Sequence, residues 1–113
     1  MSVDGVWTGE LYGPFGWENR GVFVLENNRI IGGDNRQYTM GAYKLSGSEF
    51  EAEFKVYYYG PPRTVFGASD EQFTTILAGQ LEDDVISGTI SRPDKSGYEL
   101  QIRLTKRMDL PTG

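Results

Sequence analysis

GVFVLENNRIIGGD, residues Gly21 to Asp34, is the stretch whose reading decides the fold. Two apolar runs, Val22 to Leu25 and Ile30 to Ile31, flank the pair Asn27-Asn28. Asparagine tolerates positive φ better than other non-glycine residues, so this pair suits the centre of a tight hairpin turn. The second run ends at Gly32-Gly33-Asp34, where the diglycine gives the backbone freedom to bend sharply or to leave the ladder. The stretch reads as a β-hairpin with a built-in kink.

The same two-residue period continues outward from the hairpin. In Ser48 to Tyr58, Phe50, Ala52, Phe54 and Val56 alternate with Glu49, Glu51, Glu53 and Lys55, which makes one face core and the other wet. Tyr98, Leu100, Ile102 and Leu104 alternate likewise with Glu99, Gln101, Arg103 and Thr105. Phe73 to Leu81 turns through Glu82-Asp83-Asp84 into Val85 to Ser91, a second hairpin. Strands are expected over about residues 4–12, 18–26, 29–33, 36–45, 48–58, 63–66, 73–82, 84–91 and 98–107. Counting 29–33 and 36–45 as one bent strand makes eight. A short helical turn is the reading of Ser69-Asp70-Glu71-Gln72.

Glycine recurs inside strands, at Gly9, Gly79 and Gly88, which weakens a flat sheet and suits strands that bend to close a barrel. Short consecutive strands and tight turns favour an antiparallel meander, and closure removes its exposed edges. The expected fold is all-β, a single antiparallel eight-stranded β-barrel over residues 1–113; a seven-stranded β-sandwich is the alternative.

Composition narrows the function. The 113 residues carry a formal charge of −5, which disfavours a nucleic-acid partner, since that affinity rests on neutralising phosphates with Lys and Arg. A basic protein surface remains a suitable partner. No apolar run approaches the roughly 20 residues of a membrane helix, and Met1-Ser2-Val3-Asp4 lacks the pattern of a signal peptide, so a soluble cytoplasmic protein is expected. The chain has no histidine and no cysteine. That removes the commonest general base and metal ligand as well as the thiolate nucleophile, so neither catalysis nor a cofactor is expected. A carboxylate pair remains formally able to act, but no spacing marks one.

Three groups are the candidate contact residues. Glu49, Glu51 and Glu53 form an acidic row that would steer a basic partner, although a solvated strand face explains the same pattern. Tyr57-Tyr58-Tyr59 precedes the stiff break Gly60-Pro61-Pro62, so at least one ring must point outward. Tyrosine is enriched at interface hot spots, and this rim is the preferred surface both for a partner and for homodimerisation; rings folded over a barrel mouth are the competing reading. Asp34 either organises a functional loop or accepts backbone hydrogen bonds within its own turn.

Gly5-Val6-Trp7, at the start of the first strand, resembles the Gly-x-Trp signature of lipocalins. That resemblance implies that Trp7 sits at the barrel base against a basic residue from late in the chain, Arg103 or Arg107. The run from Gly21 through Asn27 to Ile31-Gly32-Gly33-Asp34, with Asp4-Gly5-Val6 before it and Tyr38, Gly41 and Leu45 after it, resembles the GrlR-like family. Members are small bacterial negative regulators of type III secretion with a lipocalin-like (calycin) barrel, which dimerise and bind a transcriptional activator. The resemblance covers roughly residues 4 to 107 and is most specific in the first half. The family's named member contacts its partner through an alternating Glu/Asp run just after the Leu-Ser that here is Leu45-Ser46. In this chain Gly47-Ser48-Glu49-Phe50-Glu51 follows, so the run is broken and Glu49 and Glu51 are what is left of it. The resemblance implies a non-enzymatic protein-interaction module acting as a negative regulator. The alternative that a lipocalin-like barrel carries is binding of a small apolar ligand.

Overall fold

In the computed structural model of the chain, eight strands follow one another: β1 (Gly5–Gly13), β2 (Gly16–Glu26), β3 (Arg29–Gly33), β4 (Gln37–Ser46), β5 (Glu49–Tyr58), β6 (Gln72–Glu82), β7 (Val85–Ser91) and β8 (Glu99–Met108). Each pairs antiparallel with the next, and β8 returns to β1, so the sheet is a closed barrel. The structure describes residues 3–60, 71–95, 97 and 99–111. The strand expected over 63–66, and Ser69 and Asp70 of the expected helical turn, lie outside the described residues; Gln72 begins β6.

The asparagine hairpin forms as its residues dictate. Asn27 and Asn28 have φ of 51° and 64°, both left-handed, and β2 and β3 pair from Glu26↔Arg29 to Val22↔Gly33 on either side of them. The kink is a different matter. Residues 29–33 and 36–45 read as one bent strand, but β3 and β4 are two strands paired with each other from Arg29↔Ala42 to Gly33↔Tyr38. Asp34 is the reason. Its Oδ1 accepts hydrogen bonds from the backbone N–H of Arg36 at 2.8 Å and of Gln37 at 3.1 Å, and its own N–H donates to the Gln37 carbonyl. A side chain that satisfies the turn in this way reverses the chain instead of bending it.

Alternation fills the interior as expected. Trp7, Leu25, Ile30, Phe50, Leu77, Ile86 and Leu104 are at most 1% exposed, each burial of such a side chain being worth about 1.5–3 kcal/mol. At the base, the end that carries the asparagine turn, Trp7 Nε1 donates to the Val3 carbonyl at 2.9 Å and Tyr43 OH donates to Asp4 Oδ1 at 3.0 Å. These two bonds hold the segment before β1 under the core. The opposite end, the mouth, is where β1, β3, β5 and β7 finish.

One irregularity sets what faces the mouth's interior. Thr8 pairs with Val22 but Glu10 pairs with Asn19, so Arg20 and Gly21 together oppose Gly9 in a β-bulge. Gly21 has φ of 118°, and a Cβ there would lie 2.3 Å from the Gly33 carbonyl oxygen, so only glycine fits. The extra residue switches the parity of β2. Phe23 and Leu25 face inward on one side of the bulge, and Arg20 faces inward on the other.

Candidate functional site

The outer surface of β2 to β5 carries apolar side chains where a barrel in water would ordinarily carry charge. Two adjacent cross-strand rows make it up. In one, Val24 on β2, Ile31 on β3 and Met40 on β4 are paired in sequence; in the other, Val22, Gly33, Tyr38 and Tyr57 are paired from β2 to β5. Val22 is 50% exposed, Ile31 44%, Tyr38 51% and Met40 59%. The second row carries no charge from β2 to β5, and the first carries none from β2 to β4 before it meets Lys55 on β5; Glu26, Arg29 and Glu53 lie in the next row. Contiguity of this kind, not the exposure of any single residue, is what marks an association surface.

The tyrosine cluster closes this face at the mouth. Tyr38 stacks on Tyr57 with ring centroids 5.2 Å apart and lies 6.3 Å from Tyr59. Tyr59 OH donates to the Asp34 carbonyl at 2.6 Å, and the backbone N–H groups of Tyr59 and Gly60 both donate to the Arg36 carbonyl. The β3–β4 turn and the end of β5 are thereby tied together, and the exposed rings are held in place. Tyr58, between them, turns inward beside Phe73. So Tyr57 and Tyr59 belong to the outer surface and Tyr58 to the interior. Asp34 acts on this face through its turn and its carbonyl.

Sequence reading missed Tyr38, Met40, Ile31 and Val22. Their outward parity is legible once the strands are known, but their adjacency is not, because it depends on which residues pair across three strands.

Glu49, Glu51 and Glu53 are all exposed on the outside of β5, beside the apolar rows. Glu51 is opposite Lys44 and Ala78, and Glu53 is opposite Ala42 and Ile76. The acidic row thus has one cation, Lys44, beside Glu51, and shares an edge with the apolar face.

Trp7 and the late basic residues do not combine as the Gly-x-Trp resemblance implies. Arg103 lies between the inward Ile102 and Leu104, so strand parity sends it outside while Trp7 is inside. Its guanidinium stands 4.2 Å from the centroid of Trp17 and pairs with Glu10 at 3.0 Å. Arg107 Nε donates to Thr8 Oγ1 at 2.9 Å, also outside. The basic residue opposite Trp7 in the ladder is Lys106. The arginine–tryptophan pair belongs instead to a second aromatic group at the β1–β2 hairpin, with Tyr12 edge-on to Trp17 and Phe15 91% exposed at the tip.

Behind the tyrosine rim, the upper interior holds a cavity of about 50 Å³ lined by residues of β1, β2 and β4 to β8, among them Arg20, Gln37, Thr39, Phe54, Phe73 and Thr75. Arg92, 4% exposed, lies over the Phe73 ring at 4.5 Å and pairs with Asp94 at 2.7 Å, which holds the Asp94 carboxyl below its ordinary range. Among the described residues, no three His, Cys, Asp or Glu side chains gather to hold a metal ion, and no helix is long and apolar enough to cross a membrane. In comparison with known proteins, no family model and no curated protein matches the chain.

Proposed function

We propose that this chain is a non-enzymatic protein-interaction module. It pairs with a second copy of itself through the outer face of β2 to β5 and offers the row Glu49, Glu51, Glu53 to a basic protein partner. The observation that carries this reading is the pair of uncharged rows, Val24–Ile31–Met40 and Val22–Gly33–Tyr38–Tyr57, on a surface where every outward position is free to be charged. Two-fold pairing is the commonest arrangement for identical chains, and it brings an apolar patch against itself. Burying this face in a dimer leaves the acidic row at its margin, where it steers a partner through its field. Resemblance to the dimeric GrlR-like regulators supports the same reading and makes a transcriptional activator the class of partner to seek.

An apolar ligand enclosed by the barrel has less behind it, since the interior leaves about 50 Å³ and that space is partly polar.

Sedimentation at tens of micromolar tests the pairing. A dimer is expected, weakened when Tyr57 and Tyr59 are both replaced by Ser while the β spectrum is retained. A monomer at every concentration overturns it. For the acidic row, Glu49→Lys with Glu53→Lys is expected to abolish salt-sensitive capture of a specific protein partner; undiminished capture overturns that part.

A further inference from the structure

We propose that the cavity behind the tyrosine rim is a binding site for a small hydroxycarboxylate. Among the described residues, the buried side-chain polar atoms without a hydrogen-bond partner are Arg20 Nε, Gln37 Oε1, Thr39 Oγ1 and Thr75 Oγ1. All four residues line this one cavity. Thr39 is 2% exposed and Thr75 1%. A buried polar group left unpaired is costly, and native folds leave few of them, so four in a single space of an otherwise apolar barrel call for a common partner.

The identity of the atoms describes that partner. Arg20 Nε only donates and the Gln37 amide oxygen only accepts, whereas the two threonine hydroxyls do either. With the threonines donating alongside Arg20 Nε, the set matches the lone pairs of a carboxylate, and the Gln37 oxygen matches a hydroxyl on the same molecule. Charge points the same way. In two ion pairs at the mouth the cation is the less exposed partner: the Arg20 side chain is 24% exposed against 42% for Glu18, and that of Arg92 is 2% against 57% for Asp94. Arg20 thus carries its charge toward the cavity with Glu18 nearer the solvent, in surroundings of low dielectric. Size sets the limit. At about 50 Å³ the space takes roughly four waters, or the polar end of a two- to four-carbon acid with its methyl against Phe54 and Phe73. The bulge at Gly21 is what brings Arg20 into this space, so the same irregularity that bends β2 supplies the cation.

The test is a titration of the intact barrel, followed by the amide NMR signals of Gln37, Thr39 and Thr75, with three probes. Lactate carries both groups, propionate lacks the hydroxyl and propylene glycol lacks the carboxylate. Lactate is expected to shift these signals saturably and to bind more tightly than propionate, with propylene glycol weakest. Thr39→Val with Thr75→Val should weaken lactate by about tenfold or more, the usual loss for charge-assisted hydrogen bonds. Should that variant fail to fold, Gln37→Leu serves, since it is expected to abolish the preference for lactate over propionate. Absence of any saturable shift with lactate at tens of millimolar, a cavity holding water alone, overturns the proposal. So do shifts confined to the outer face, or a preference for lactate that survives Gln37→Leu. The outcome is independent of dimerisation, which sedimentation reads separately.

Discussion

Replacing Met40 with Lys places one charge in the middle of the outer apolar face and tests whether that face is buried between two copies. Met40 keeps 59% of its surface in water in the single chain. Complete burial of a methionine side chain is worth about 1.5–3 kcal/mol, so covering the exposed part contributes roughly 0.9–1.8 kcal/mol per copy. A two-fold interface uses the residue twice, so the substitution removes about 1.8–3.6 kcal/mol from the dimer. At 1.4 kcal/mol per tenfold this raises the dissociation constant by about twentyfold to about four-hundredfold, and desolvating the new ammonium groups, each next to Lys55, adds to it. The barrel itself should change by no more than about 0.5 kcal/mol, because the side chain points out of the core. Sedimentation equilibrium over a concentration series reads the first quantity and urea unfolding of the monomer reads the second. If the variant associates as tightly as the parent, the face of β2 to β4 is not the interface. If instead it unfolds, Met40 is not the outward residue that its register makes it.

Two further outcomes follow from the base of the barrel. Asn28, at φ 64°, is expected to lose about 1 kcal/mol on Asn28→Ala and nothing on Asn28→Gly, both read as shifts in the urea midpoint; equal losses in both would place the cost outside the turn conformation. Burial, together with the hydrogen bond to Asp4, raises the Tyr43 pKa above its ordinary 10.0. A folded-state pKa above the unfolded one means that this group's contribution is complete below about pH 10 and is lost as pH rises through the folded value. Tyr43→Phe should therefore lower stability at neutral pH by about 1 kcal/mol for the lost hydrogen bond and flatten the alkaline fall, and a variant whose alkaline fall matches the parent's defeats this assignment.

Local residues determined a good part of this protein. Asn27-Asn28 specified a left-handed turn, and the alternation of Phe50, Ala52, Phe54 and Val56 with glutamates specified one wet and one dry face. With glycine inside the strands, these were enough for a closed antiparallel barrel. They also marked Tyr57 to Tyr59 as a rim and placed Glu49, Glu51 and Glu53 outside, since parity within one strand is a local property.

Tertiary structure decided what required knowing which residues meet. Asp34 turned the expected bend into a reversal, a choice that depends on β3 finding β4 as its partner. Ladder register put Tyr38 on Tyr57 and lined up Val24, Ile31 and Met40, although these residues lie far apart in the chain and no motif joins them. Arg103 went to Trp17 and not to Trp7, because a residue's face is fixed by its strand's parity, and parity outweighs the attraction of any one pair. The bulge at Arg20-Gly21 changed that parity once, within β2, and so brought Arg20 into the same space as Gln37, Thr39 and Thr75. Sequence spacing carries the period of a strand, but pairing between strands costs loop entropy and is settled by the whole sheet closing at once.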